Sequence, residues 1–254
     1  MRRLITILLI GLLISPKING QVVRANNFYR PLSSGSSSPL LTGLVSYWKL
    51  DESSGTAADS KGSNTGTVSG TVTQGASGKI STAYTFSGFS NTYLDCGTDA
   101  SLRITSAGTI SAWVYQTTSN PYPTVVGNDD FDTDRHGYNF FIRSDGTVSL
   151  ELASASASQS INGGTITNNA WHHIVATWDG TNAHIFIDGV DGGAVSQTVT
   201  PTTNTSSFKI GNASIGTYNF TGTIDEVGVW SRALTGSDVT SLYNSGSGKT
   251  YPFN

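Results

Sequence analysis

The sequence predicts an all-β chain built as two antiparallel sheets packed face to face. From Leu44 onward, short apolar runs recur about every 8–12 residues between clusters of Gly, Asn, Asp and Ser, the rhythm of a sandwich or barrel. Only 12% of the 254 residues are charged, while Gly alone contributes 29; an average soluble protein carries about 25% charge. The polar bulk is therefore Ser, Thr, Asn and Gly, which suits strands joined by many turns and excludes a helical bundle, a coiled coil and a charged disordered chain. No repeat of 20–50 residues is visible, which sets solenoids and propellers aside.

The first element is an address. Met1-Arg2-Arg3 is followed by the 12-residue apolar run LITILLIGLLIS (4–15). Spanning a bilayer takes about 20 apolar residues, so 1–20 reads as a secretory signal peptide, with Gly20 offering a small residue for cleavage,. The mature chain is then expected outside the cell or on its surface, with no transmembrane segment. Residues 21–43 crowd Ser, Gly and Pro without apolar period and read as a flexible spacer,.

Strands are expected over 44–50, 67–71, 83–86, 93–95, 109–115, 138–143, 147–153, 171–178, 182–187, 207–211 and 220–230. Asp145-Gly146 and Asp188-Gly189 sit between strands as hairpin turns, the former read as type I′,. In 171–178, Trp171, His173, Val175 and Thr177 share one face and His172, Ile174, Ala176 and Trp178 the other,. In 182–187, Ala183, Ile185 and Ile187 oppose His184 and Phe186. One helix is expected near the end: Thr235-Gly-Ser-Asp238 forms a capping box, Val239, Leu242 and Tyr243 make its apolar stripe, and Gly246 stops it,. A short tail, 246–254, follows.

Several blocks in order carry a family resemblance: LVSYWKLDESSG (44–55) with DSKG (59–62), GTISAWV (108–114), WHHIVATWDG (171–180), IFIDG (185–189) and FTGTIDEVGVWSRAL (220–234). Over about 44–245 the chain resembles the laminin-G-like jelly rolls of the concanavalin A-like lectin/glucanase superfamily. The resemblance implies two curved antiparallel sheets in a jelly roll. It implies much less about activity, because a fold does not dictate a function.

Charge and cysteine usage exclude several chemistries. Net charge is −3, and −6 once Arg2, Arg3 and Lys17 are removed with the leader; with no basic run left, a nucleic-acid partner is not expected. Cys96 is the only cysteine, so no intrachain disulfide forms. It reads as a small buried hydrophobe.

Tryptophan faces stack on sugar rings, but Trp48, Trp113, Trp171 and Trp230 lie inside the family blocks and read as framework. The ligand-binding candidates are Trp178, at the end of its strand beside Asp179-Gly180, together with Tyr115, Tyr122 and Phe131, at or within the irregular segment 116–137. That segment also holds Asp129, Asp130, Asp132 and Asp134. Asp130-x-Asp132-x-Asp134 imitates the start of an EF-hand, yet Arg135 stands where Gly is needed and Phe141 where the bidentate Glu belongs,. What remains is a solvated loop or a rim Ca²⁺ site. The resemblance implies a second, structural Ca²⁺ site on Asp225, with Asp51 and Asp59 contributing; many relatives carry Phe-Asp-Gly where this chain has Phe86-Ser87-Gly88. The adjacent His172 and His173 point to opposite faces and cannot share one ion.

Glucanases of this superfamily resemble one another in a Glu-x-Asp-x-x-Glu strand, which is absent here; Glu occurs only at 52, 151 and 226. The expected function is therefore a secreted, non-catalytic domain binding a carbohydrate or a glycoprotein surface through rim loops or a groove. The alternatives are a structural or adhesion domain that contacts protein partners on a cell surface or virion, and a glycosidase or lyase using Glu151.

Overall fold

The computed structural model describes residues 38–119, 122–129, 136–213 and 218–254. In chain order the strands are β1 (Leu44–Trp48), β2 (Thr67–Ser69), β3 (Val72–Ser77), β4 (Thr82–Ser87), β5 (Tyr93–Asp95), β6 (Gly108–Gln116), β7 (Thr124–Asp129) and β8 (Gly137–Ile142). Then come β9 (Thr147–Ser154), β10 (Ala157–Thr165), β11 (Trp171–Trp178), β12 (Asn182–Ile187), β13 (Val190–Asp191), β14 (Val195–Ser196), β15 (Lys209–Ile210) and β16 (Thr221–Trp230), before helix α1 (Gly236–Tyr243).

They form two antiparallel sheets. One runs β13-β12-β11-β6-β16-β4-β3, with β1 joined to β16 and β14 to β12; the other runs β10-β9-β8-β7-β15-β5-β2. The expected two-sheet sandwich is the observed one. Period-2 alternation builds its core. Tyr138, Phe140 and Ile142 of β8 and Val148, Leu150 and Leu152 of β9 point inward and meet Ile174, Ala176 and Trp178 of β11. Each buried Val, Leu, Ile or Phe among them contributes about 1.5–3 kcal/mol by leaving water.

The far side of the first sheet has a second apolar layer. Val175, Phe186 and Trp230 pack there against Val239 and Leu242 of α1 and against Leu40 and Phe253 near the two ends of the described chain. The Trp230 indole N–H donates to the Leu40 carbonyl (2.7 Å). Arg232 donates to the carbonyls of Thr42 and Pro39 and pairs with Asp238 at 2.9 Å. The folded unit therefore starts earlier than expected: Leu40 lies in a 3-10 turn and is core, not spacer. It also ends later, because Phe253 of the expected tail is buried. The expected leader (1–20) and residues 21–37 of the expected spacer lie outside the described residues.

Strands β3, β7, β10, β13 and β14 were not legible as strands. β10 offers one fully buried apolar side chain, Ile161, along its nine residues; its ladder to β9 defines it rather than any alternation. In β7 a register shift between Thr124 and Val126 buries both Val125 and Val126 and breaks the alternation,. The Asp145-Gly146 turn is corrected: Gly146 N–H bonds to the Arg143 carbonyl (2.9 Å), and Gly146 (φ 85°) has a left-handed φ while Asp145 does not. This is a type I turn followed by a left-handed residue, not type I′. Asp188 (φ 51°) and Gly189 (φ 78°) are both left-handed. The capping box of α1 forms as expected, but the left-handed stop is Asn244 (φ 49°) rather than Gly246,.

Candidate functional site

The outer face of the second sheet carries an open depression of about 260 Å³ lined by Tyr122, Asn139, Phe141, Arg143, Glu151, Ser160 and Tyr218. Strand pairing sets its floor. Asn139 and Phe141 alternate outward on β8; Glu151 pairs with Asn139 on β9, and Ser160 pairs with Glu151 on β10. These three make a polar row across three strands, beside the row Phe141, Ser149 and Asn162.

Two loops supply the aromatic wall. Tyr122, exposed and with a left-handed φ of 55°, stands edge-on to Phe141 at 5.7 Å between centroids and to Tyr218 at 5.6 Å. The Tyr218 carbonyl accepts the Thr124 N–H (2.9 Å), tying the two loops together. Gly127 on β7 makes this possible. A Cβ there would lie 2.7 Å from the Asn212 carbonyl oxygen and 2.9 Å from Ala213 Cα, so glycine lets the chain after β15 lie close over the sheet.

Arg143 is held firmly. Arg143 Nε donates to Ser149 Oγ (3.0 Å) and to Asn162 Oδ1 (3.3 Å), and Ser149 Oγ donates to Asn162 Oδ1 (2.9 Å). The Arg143 guanidinium lies 5.4 Å from the Phe141 ring centroid and 5.8 Å from that of Tyr122. Asn139 is 3% exposed, and its Oδ1 has no hydrogen-bond partner. Such a site can take a ligand with an apolar ring face and several hydroxyls: the aromatic wall meets C–H surface, while the row of Asn139, Glu151 and Ser160 meets polar edges.

Of the expected ligand-binding residues, Tyr122 is brought into this site. Tyr115 is not: it lies opposite Trp171 on the other sheet, 5.7 Å between ring centroids. Trp178 is corrected outright. It is fully buried and packs on Tyr138 at 5.4 Å, because the face it shares with Ile174 and Ala176 is the core face. Phe131, Asp130, Asp132 and Asp134 lie outside the described residues. Sequence reasoning missed Asn139, Phe141, Arg143, Ser160 and Tyr218. Alternation in 138–143 already places Asn139, Phe141 and Arg143 on one face; for Tyr218 no local signal exists.

Of Asp225, Asp51 and Asp59, expected together around a cation, Asp51 lies near enough for its charge to raise the Asp225 pKa, while Asp59 is engaged by backbone N–H groups. Asp59 accepts N–H bonds from Tyr47, Lys61, Gly62 and Asn64, which occupy both of its oxygens. Asp51 Oδ1 accepts the Thr82 N–H (3.1 Å) at the exposed surface. Among the described residues no three His, Cys, Asp or Glu side chains converge to hold a metal ion.

Asp225 has a second acidic neighbour, Glu226. A register shift in β16 between Asp225 and Gly228 and a left-handed φ of 51° at Glu226 interrupt the alternation there. Both acids are buried. Asp225 Oδ2 accepts the N–H groups of Lys79 (2.8 Å) and Ile80 (2.9 Å), while Asp225 Oδ1 and both Glu226 oxygens have no hydrogen-bond partner. Burial pushes the Asp225 carboxyl up to about 8, with the Glu226 charge adding to the rise. Burial likewise pushes Glu226 up to about 7; the Tyr47 and Thr250 hydroxyls pull the other way from nearby without hydrogen-bond geometry, the Tyr47 hydroxyl donating to the Lys249 carbonyl instead (3.2 Å). Three buried carboxylate oxygens from these two side chains lack a hydrogen-bond partner, and oxygen is the donor type a hard cation takes,. The two histidines part company as expected: His172 Nδ1 meets Asp188 (2.8 Å), whereas His173 Nε2 meets Ser111 Oγ (2.9 Å). The Cys96 thiol is buried, and burial raises its pKa well above the usual range.

The model of a family described as the concanavalin A-like lectin/glucanases superfamily matches residues 86–240. No curated protein matches the sequence significantly. Among solved structures, the binding domain of Paraclostridial Mosquitocidal Protein 1 is similar with a TM-score of 0.67 and 21% identity, covering 82% of this chain and 53% of that one. Domain 4 of AbnA, an extracellular GH43 arabinanase from Geobacillus stearothermophilus solved with arabinotriose, is similar with a TM-score of 0.61 and 22% identity, covering 79% and 98%. A botulinum neurotoxin type C structure, from work on its cell entry through two ganglioside molecules, gives 0.63 and 15%, covering 83% and 53%. The chain spans about half the length of the mosquitocidal and neurotoxin chains it matches. These likenesses establish the fold.

Proposed function

The chain belongs to the concanavalin A-like lectin/glucanases superfamily, and from that premise we propose that it is an exported, non-catalytic domain that binds carbohydrate in the depression on the outer face of the second sheet. The observation that carries this reading is the convergence of Tyr122, Phe141 and Tyr218 on one side with Asn139, Arg143, Glu151 and Ser160 on the other. Tyr122 is exposed and Tyr218 half-buried beside an anchored arginine, with Phe141 buried next to them, and this pairing of ring surface with polar groups is what a sugar needs. Glycoside hydrolysis needs two carboxyls about 5–10 Å apart, and Glu151 is the one carboxyl among the described lining residues. The arabinanase domain solved with arabinotriose and the neurotoxin that uses gangliosides support binding as the kind of function. Export rests on the leader pattern at 1–20.

We also propose that Asp225 and Glu226 hold a Ca²⁺ ion that stabilises the domain, on the strength of their unpartnered buried oxygens. Binding to a glycan array, with Tyr122→Ala beside the native chain, tests the main reading. Specific glycans retained by the native chain and lost by the variant support it. An array without retained glycans overturns it in favour of a protein-contact role.

A further inference from the structure

Arg143 is the most informative group in the depression. Its Nε is committed to Ser149 and Asn162 on the neighbouring strands β9 and β10 (3.0 and 3.3 Å). Ser149 and Asn162 are themselves bonded at 2.9 Å, so the guanidinium is anchored on one edge. Its carbon lies over the Phe141 and Tyr122 rings, 5.4 and 5.8 Å from their centroids. Among the described residues no carboxylate lies within ion-pair distance of it. Its other edge, Nη1 and Nη2, takes part in no hydrogen bond there. An anchored guanidinium with an open fork is suited to donate two parallel bonds to a carboxylate or a sulfate ester, and it has already lost the rotamer freedom that such pairing would otherwise cost.

We propose that the ligand is an acidic sugar, a pyranose bearing a carboxylate or a sulfate, whose anionic group is read by the Nη1/Nη2 edge of Arg143 while its ring lies against the aromatic wall. This rests on the carbohydrate reading and names the class of sugar. Glu151 sets the orientation. It lines the depression beside Asn139 and Ser160, so the anionic group faces the Arg143 end and the hydroxyl edge faces the Asn139 row. Arg143 is thus a specificity-determining residue, and Ser149 and Asn162 are positioning residues.

Calorimetry on the full chain tests this with matched probes: trigalacturonate against its methyl ester, and galactose 6-sulfate against galactose. An acidic member is expected to bind about tenfold tighter than its neutral counterpart, the advantage shrinking as salt rises. Which pair shows the larger advantage separates carboxylate from sulfate as the source. Arg143→Gln is expected to erase the acid advantage while neutral binding persists, Arg143→Lys to keep part of it as a point charge, and Ser149→Ala to weaken it by freeing the guanidinium. The salt dependence needs no variant and stands even where a substitution disturbs folding. Equal or tighter binding of the neutral members, still lost in Tyr122→Ala, overturns the acidic-sugar inference and leaves the carbohydrate reading intact. Absence of binding by every probe and by a glycan array overturns both.

Discussion

Tyr122 and Tyr218 meet edge to face, 5.6 Å between centroids and 82° between planes, at the wall of the depression. One comes from the loop before β7 and the other from the segment before β16, 96 residues apart in the chain. Their meeting turns a flat sheet face into a walled site. Tyr122→Ala and Tyr218→Ala are each expected to weaken glycan binding by about 1–2 kcal/mol, or roughly 5–30-fold. Because Tyr122 is exposed, its variant should melt within about a degree or two of the native protein. Calorimetric titration beside thermal denaturation checks both halves.

Gly127 tests the close approach that brings the wall in. Ala there places a methyl carbon 2.7 Å from the Asn212 carbonyl oxygen. Gly127→Ala should cost about 1–3 kcal/mol of stability as an overpacked contact and weaken glycan binding as the segment shifts. Denaturant titration with unchanged binding would separate the wall from this contact.

Trp178 makes the opposite prediction. Its indole is wholly inside the sandwich, so Trp178→Ala should cost about 3–5 kcal/mol in urea titration. The folded fraction of that variant should still bind glycan with native affinity, which a ligand-contacting tryptophan would not allow.

His173 gives a pH dependence. Burial lowers its pKa from 6.5 to about 3, against the smaller opposing effect of Asp188. Between those values the unfolded chain carries a proton on this histidine and the folded chain does not. Stability is therefore lost as pH falls from about 6.5 toward 3, by up to about 1.4 kcal/mol per pH unit from this group. A His173→Gln variant should lose less than the native chain over that interval. Parallel pH–stability curves for the two proteins would rule this out.

For the cation, CaCl₂ at a hundredfold excess over Kd should raise stability by about 2.7 kcal/mol. Asp225→Asn, which keeps an oxygen for the Lys79 and Ile80 N–H groups, should abolish that gain. A melting temperature indifferent to both EDTA and CaCl₂ would dismiss the ion.

Much of the fold was legible because strand alternation is a local property. The outward set Asn139, Phe141 and Arg143 could be read from six residues of β8 and its flank. The capping box of α1 formed from four consecutive residues, Thr235 to Asp238. Where alternation failed, the cause was local too: the bulge in β7 buries two consecutive valines, and β10 is held by its ladder to β9 rather than by an apolar stripe. The companion of Asp225 escaped for the same reason, since a left-handed φ at Glu226 interrupts the strand rule.

By itself, the sequence determined that this chain pairs short antiparallel strands into two layers, since a two-residue period and the turn residues between strands act over a few neighbours at a time. The tertiary structure alone decided which face of β11 is core, because both its faces are apolar and only the opposing sheet chooses between Trp178 and Val175. It also decided the site, since Tyr122, Phe141, Arg143 and Tyr218 acquire a common purpose only when loops far apart in the chain close over one sheet.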